Sequence, residues 1–307
     1  MRIYVSSASR LLLDTFSEMW PNEKLDVLKT FAGNLEEVTS IADKRPSCVK
    51  SLILDSGTYS INNDPTIEET RTVNNYREYL RIHKDKFDFY FNYDISFDGN
   101  DLINWEMQRI LESPFPKPDQ NPHLKAVPVI QNLDDVPLYC KLREKYPIVA
   151  IGSGANKKIK PLKEAVKKLY NSGIKVHLFA IGAYNKLHDI PVWSCDCTSF
   201  LQWASFIRTC YLDIDEDGNL KERILSTKEL DKWGKISTNY LFDNSEHLTD
   251  KYGTWLTQKG LEDIYTIDFE RDKVNHVIKL ANLMYFKELA EIITEEHKAR
   301  GFTFDTW

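Results

Sequence analysis

The chain has 307 residues, 42% hydrophobic and 28% charged, with a formal net charge of -6, which suits one large α/β barrel or two smaller domains and excludes a wholly basic nucleic-acid coat, though not a local basic patch. Its five cysteines lack a framework spacing, which points to a reducing compartment. No stretch approaches the ~18 apolar residues of a membrane span, and the run Leu11-Leu12-Leu13 is too short for a signal core and is followed by Asp14, so a cytoplasmic protein is expected.

Arg2–Ser6 (RIYVS) reads as the first strand. Val49–Leu54, Phe87–Tyr93, Ala126–Ile130, Ile148–Ile151, Lys175–Phe179 and Val192–Cys195 follow, all short and rich in β-branched or aromatic residues. Helices are predicted between them over Ile67–His83, led by Asp64-Pro65, and over Leu102–Leu111, Val136–Lys145, Pro161–Tyr170 and Ser199–Arg208. Repeated β-α alternation predicts a parallel sheet. Seven strands in a chain of this length favour a closed TIM-type (β/α)8 barrel, with Thr209–Leu212 as the candidate eighth strand. Pro114–Pro122 reads as a proline-rich loop, Tyr211–Leu225 as a hairpin around Asp217-Gly218, and Phe269–His297 as a charged helix on the outside of the barrel. The expectation is one domain over residues 1–307, elaborated from about residue 210 onward.

Active sites of such barrels lie at the C-terminal strand ends. The polar residues there are Asp55 to Ser60 after the second predicted strand, Asp94 after the third and Gln131-Asn132 after the fourth. Gly152-Ser153-Gly154, Gly182 and Cys195-Asp196-Cys197 follow the next three. Taken singly, each aspartate reads equally as a helix N-cap and each glycine as a tight turn. Together they bring three carboxylates, an amide and two glycine turns to one rim. Carboxylates without an evident metal cage suggest acid-base or covalent chemistry, of which glycoside cleavage with a nucleophile and an acid about 5–5.5 Å apart is the standard example.

Six short motifs in this order, spanning roughly Ser51 to Ala204, resemble the tRNA-guanine transglycosylase superfamily. Asp55-Ser56-Gly57-Thr58-Tyr59 is similar to its Asp-Ser-Gly-Gly-aromatic motif, with Thr58 in place of the second glycine. Tyr93-Asp94 resembles its base-binding aspartate, and Val129-Ile130-Gln131 its Val-Gln turn. Ala150 to Gly154 resembles its Gly-Gly-Leu loop, Val176 to Gly182 its Met-Gly-Val-Gly strand, and Asp196-Cys197 its nucleophilic Asp-Cys. The resemblance implies that Asp196 attacks the anomeric carbon and that Asp55 carries protons to the leaving base and from the incoming one. It implies that Asp94 and Gln131 read the base edge beside Ser56, that Tyr59 stacks on the purine, and that Gly152 and Gly154 admit backbone amides close to the base. Phe179 and Gly182 would wall the pocket; ordinary barrel packing explains Phe179 equally well.

The departures narrow the choice of substrate. The tRNA enzymes carry a zinc cluster after the nucleophile, whereas only Cys210 follows Cys197 here, and Cys195 and Cys197 alone cannot supply four ligands. No zinc and no other cofactor is expected. Thr198-Ser199-Phe200 replaces the tRNA family's Pro-Thr-Arg. Shortened, zinc-poor relatives in phages and bacteria exchange guanine in DNA for a 7-deazaguanine such as 7-cyano-7-deazaguanine, and the chain resembles these better. The expected partners are therefore DNA, with tRNA as the alternative, and a free 7-deazaguanine base. The compartment would be the host cytoplasm for a phage-encoded chain. A non-catalytic nucleic-acid-binding barrel and an unrelated carboxylate glycosidase stand as further alternatives.

Lys157, Lys158 and Lys160 follow the Gly152–Gly154 turn and are candidate contacts to phosphates, or else a solvated helix face. Asp213 to Gly218 imitates the start of a calcium loop, but Ile224 stands at its twelfth position, so a hairpin turn is expected. His177, His247, His276 and His297 form no ligand pair at helical spacing and read as ordinary structure.

Overall fold

A computed structural model describes residues 1–63, 71–97, 101–114, 125–155, 158–206, 208–218, 220–226, 254–261 and 271–304. The first half-turns of the chain are β1 (Arg2–Ser6), α1 (Arg10–Met19), β2 (Leu25–Thr30), α2 (Leu35–Asp43), β3 (Val49–Asp55) and α3 (Thr58–Asn63). Then come α4 (Val73–His83), β4 (Phe89–Tyr90), α5 (Asp101–Glu112), β5 (Val129–Ile130), α6 (Val136–Lys141) and β6 (Ile148–Ile151). α7 (Ile159–Asn171), β7 (Lys175–Leu178), α8 (Tyr184–Leu187), β8 (Ser194–Cys197) and α9 (Ser199–Ser205) complete the alternation. A hairpin of β9 (Arg208–Ile214) and β10 (Leu220–Ser226) and a long helix α10 (Arg271–Ala299) follow.

The main sheet has eight parallel strands in the order β4-β3-β2-β1-β8-β7-β6-β5. Its two end strands meet through a parallel bridge between Phe91 and Val127, where Asn92 N–H donates to Val127 O at 2.9 Å and Val127 N–H to Tyr90 O at 2.8 Å. The sheet therefore curls round as a TIM-type (β/α)8 fold. Alternate residues face in and out. Tyr4, Leu28, Ile53, Phe89, Phe91, Val129, Ile148 and Ala150 fill the interior, while Val5, Val27, Leu52, Leu54, Val149, Ile151 and Val176 pack outward beneath the helices.

Local signals explain the helices. Ser9 caps α1 by accepting the Leu12 N–H, Asn34 caps α2 through the amides of Glu36 and Glu37, and Thr72 caps α4 through Asn75. Leu12, Leu13 and Phe16 form the buried face of α1, so two leucines of the run are core while Leu11 is exposed. α10 packs on β1, α9 and β9. It is pinned by buried Asn282, whose amide donates to Phe200 O at 3.3 Å and Arg208 O at 3.1 Å and accepts the Cys210 N–H at 3.3 Å.

Several boundaries differ from the sequence reading. The missing barrel strand is Leu25–Thr30, second in the chain, and not Thr209–Leu212, which lies in β9 of the antiparallel hairpin. The strand expected at Val192–Cys195 begins two residues later. Phe87–Tyr93 and Ala126–Ile130 shrink to two-residue strands, because each pairs with β3 or β6 over two residues and the two meet each other through the Phe91–Val127 bridge. The helices expected to reach Lys145 and Arg208 end at Lys141 and Ser205. The stretch Asp64 to Thr70, with its helix-start signal, and most of the Pro114–Pro122 loop lie outside the described residues. No helix among the described residues is long and apolar enough to cross a membrane.

Candidate active site

The polar rim expected from the strand ends forms around β8. Its alternation turns Ser194 and Asp196 inward and Cys195 and Cys197 outward into the apolar layer under the helices. Both thiols are pushed well above their ordinary range, chiefly by burial and then by neighbouring negative charge. The two cysteines thus face away from the aspartate between them.

Asp196 is 7% exposed, and its carboxylate is held from both sides. Oδ2 accepts the Ser6 hydroxyl at 2.9 Å; Oδ1 accepts the Ala180 N–H at 3.2 Å and lies 3.3 Å from His177 Nε2. The register explains the meeting. Tyr4 of β1 is paired with Asp196, and His177 of β7 with Ser194, so Ser6 and His177 flank the carboxylate from adjacent strands. Ala180 reaches it by adopting φ +56°, a left-handed conformation that is uncommon for alanine and occurs here in the turn directly after β7.

Asp55 ends β3, two residues after inward-facing Ile53. It accepts the Gly57 N–H at 3.1 Å, in a turn where Gly57 has φ +73° and a Cβ would stand 2.1 Å from Thr30 Oγ1. Its carboxyl is pushed up to about 7, first by burial and second by the negative charge of Asp196. The two aspartates are therefore electrostatic neighbours, one gripped by hydrogen-bond donors and the other retaining its proton near neutrality.

A second polar group surrounds Asp94, which is buried. Its Oδ1 accepts from Asn92 Nδ2 at 2.5 Å and its Oδ2 from Gln131 Nε2 at 3.1 Å. These contacts fix both amide orientations, because only the NH2 groups can face a carboxylate. Among the described residues, they leave Gln131 Oε1 and Asn92 Oδ1 buried without a hydrogen-bond partner. A buried orphan acceptor is costly unless a ligand supplies a donor. Gly152 is required beside it, since a Cβ there would lie 2.1 Å from Gln131 Oε1.

The remaining predicted residues separate. Tyr59 is 66% exposed and meets Phe97 edge-to-face at 5.8 Å, leaving ring surface at the mouth. Ser56 is buried with its hydroxyl 3.4 Å from that of Thr58. Phe179 joins the interior cluster against Phe91 at 4.6 Å and His177 at 5.0 Å. Gly154 makes an ordinary contact with Phe97 O, so the close approach belongs to Gly152. Gly182 does not face the barrel interior: a Cβ there would meet Cys197 Sγ at 2.8 Å and the Phe286 ring at 3.1 Å, on the outer side of the sheet. Lys158 and Lys160 are exposed at the start of α7, and Lys157 lies outside the described residues. The calcium-like segment is a hairpin turn, with Gly218 at φ +80° and its N–H donating to Asp215 O at 3.0 Å.

His177, which reads from the sequence as ordinary structure, stands inside the site. It is fully buried and touches the predicted nucleophile. A cavity of about 730 Å³ lies elsewhere, lined by Arg2, Asp26, Trp193, Lys287 and Phe304 at the N-terminal strand ends; none of the carboxylates above lines it. Among the described residues, no three His, Cys, Asp or Glu side chains are grouped to hold a metal ion. Comparison with models of known protein families, with curated proteins and with solved structures finds no match.

Proposed function

We propose that this chain is a nucleobase transglycosylase that exchanges guanine in DNA for a 7-deazaguanine base. The observation that carries the reading is the unlike pair of carboxylates on one rim: Asp196 held by three donors, and Asp55 raised to about 7 beside it. A carboxylate gripped by donors beside a carboxyl raised by burial offers the two roles, nucleophile and acid, that covalent glycosyl transfer requires.

In this mechanism Asp196 forms a bond to C1′ as the C1′–N9 bond breaks. The bonding pair passes to N9, which takes the Asp55 proton, and guanine leaves neutral. An incoming 7-deazaguanine then returns a proton to Asp55 as its N9 attacks C1′ and frees the Asp196 carboxylate. Each base thus enters and leaves uncharged, and Asp55 ends the cycle as it began. The chemistry calls for no cofactor.

The buried cluster of Asp94, Gln131 and Asn92 supports base recognition. Its orphan oxygens suit the N–H donors of a guanine-like edge, and a base lacking those donors would leave them unpaired. Exposed Tyr59 suits stacking on a base turned out of a duplex. The choice of DNA over tRNA rests on the resemblance, in which the chain lacks the cysteine cluster and the Pro-Thr-Arg segment of the tRNA enzymes.

The test is incorporation of labelled 7-deazaguanine or guanine into DNA and into tRNA by the purified protein. Exchange into DNA that is lost in Asp196→Ala, with a covalent protein–DNA adduct trapped in the wild type, is the expected result. Exchange into tRNA alone would overturn the choice of substrate. Release of free guanine without incorporation would make the chain a glycosidase, and no reaction with either nucleic acid would remove the enzymatic reading.

A further inference from the structure

We propose that His177 is a positioning residue for the nucleophile: with the Ala180 N–H it holds Asp196 Oδ1, and so leaves Oδ2 as the oxygen that attacks. This rests on the transglycosylase reading above and assigns a role that the resemblance did not supply. The two carboxylate oxygens are not equivalent. Among the described residues, Oδ1 faces two donors, His177 Nε2 at 3.3 Å and Ala180 N at 3.2 Å, whereas Oδ2 faces one, the Ser6 hydroxyl at 2.9 Å. A hydroxyl rotates about its own bond, so Oδ2 can open a lone pair without moving the chain.

The imidazole has no such freedom. Its ring lies 4.8 Å from that of Phe91 and 5.0 Å from that of Phe179, inside the barrel. Nδ1 is 2.9 Å from Ser194 Oγ. A carboxylate can only accept, so Nε2 carries the hydrogen, and in the neutral ring Nδ1 accepts the Ser194 hydroxyl. The Asp196 carboxylate therefore fixes the tautomer, and Ser194 holds the ring in place from the other side by donating to Nδ1.

The arrangement matters in both half-reactions. As Oδ2 bonds to C1′, negative charge leaves the carboxylate and Oδ1 becomes the carbonyl oxygen of a glycosyl ester. As the incoming base expels Asp196, the C1′–Oδ2 bonding pair returns to Oδ2 and carboxylate resonance shares its charge with Oδ1, where two donors already stand. Donors fixed at a site of developing charge lower the barrier without reorganising at the moment of reaction.

The experiment compares wild type, His177→Phe, His177→Gln and Ser194→Ala by labelled-base exchange and by decay of the trapped DNA adduct on adding guanine. His177→Phe keeps the ring volume and loses the donor; its kcat is expected to fall about 100-fold, as for loss of one oxyanion-hole donor. KM for the free base should stay within about twofold, because the lost contact does not touch the base. His177→Gln restores an N–H and should recover at least about tenfold over His177→Phe, while Ser194→Ala should slow adduct decay with KM unchanged. Should His177→Phe fail to fold, the glutamine and Ser194 variants decide. Folded His177→Phe with wild-type kcat, or Gln and Ala variants that alter KM and not adduct decay, would overturn the assignment. A wild type that exchanges no base fails at the earlier step and removes the transglycosylase reading itself.

Discussion

Replacing Asp55 with asparagine isolates the electrostatic tension at the rim. Asp55 titrates near 7 in the folded chain against 3.8 when unperturbed, so between these values the native state binds more protons than the unfolded one. Stability must then fall as pH rises through that window and level off above about 7. Moving one carboxyl this far corresponds to roughly 4 kcal/mol in all, of which roughly 3 kcal/mol is lost between about pH 4.5 and about pH 8.5. Asparagine keeps the shape and can still accept the Gly57 N–H, but it cannot ionise. The assay is urea unfolding of wild type and Asp55→Asn across about pH 4.5 to about pH 8.5, read as the difference between them. Asp26, raised to about 6 by burial, lowers stability with pH in the same direction, and the Met1 amine, depressed to about 6, raises it. Both are present in each protein and cancel in the difference. Asparagine should gain on wild type by roughly 3 kcal/mol as pH rises. Adding Asp196→Asn to both should shrink this gain without abolishing it, because burial is the larger cause. A difference that stays flat with pH would refute the argument that Asp55 is a strained, proton-retaining acid.

Two further variants probe the rim. Tyr59→Ala removes a ring that is 66% exposed, so unfolding free energy should move by no more than about 0.5 kcal/mol, while affinity for the nucleic acid should drop at least about fivefold in a filter-binding or exchange assay if the ring stacks on a base. Gly57→Ala forces a side chain into φ +73° with its Cβ 2.1 Å from Thr30 Oγ1 and 2.5 Å from Ala32 Cβ; denaturation should show a loss of about 1–3 kcal/mol, together with reduced exchange as the turn that holds Asp55 shifts.

The fold was legible wherever strands were apolar, and obscured where polarity served the interior. Arg2–Ser6 and Ile148–Ile151 stand where periodicity put them. Leu25–Thr30 escaped because Asp26 and Lys29 interrupt its apolar run. Yet Lys29 is buried, its ammonium held by Ala8 O at 2.9 Å and by Glu37 at 3.1 Å. Local composition cannot reveal a charge satisfied by partners from two other segments. The strand expected at Val192–Cys195 lies two residues later, at Ser194–Cys197, for a related reason: Ser194 and Asp196 are polar because they line the interior, while its cysteines supply the apolar face.

His177 is the instructive omission, because its signal was present. As a metal ligand it lacks a partner at helical spacing. The relevant period was that of a strand. Phe179 is a candidate for the pocket wall, and a strand returns to the same face every second residue. Placing Phe179 inside therefore commits His177 to the interior, one layer deeper. Asp196 is committed in the same way by the neighbouring strand. Parallel pairing then sets His177 opposite Ser194, two residues before the aspartate, and brings the imidazole within 3.3 Å of it. What the sequence lacked was the register between β7 and β8, which backbone pairing supplies and side-chain pattern alone does not. In a barrel of this kind, asking which polar residues share an inward layer across neighbouring strands finds the second layer of a site; asking only what stands at each strand's end finds the first.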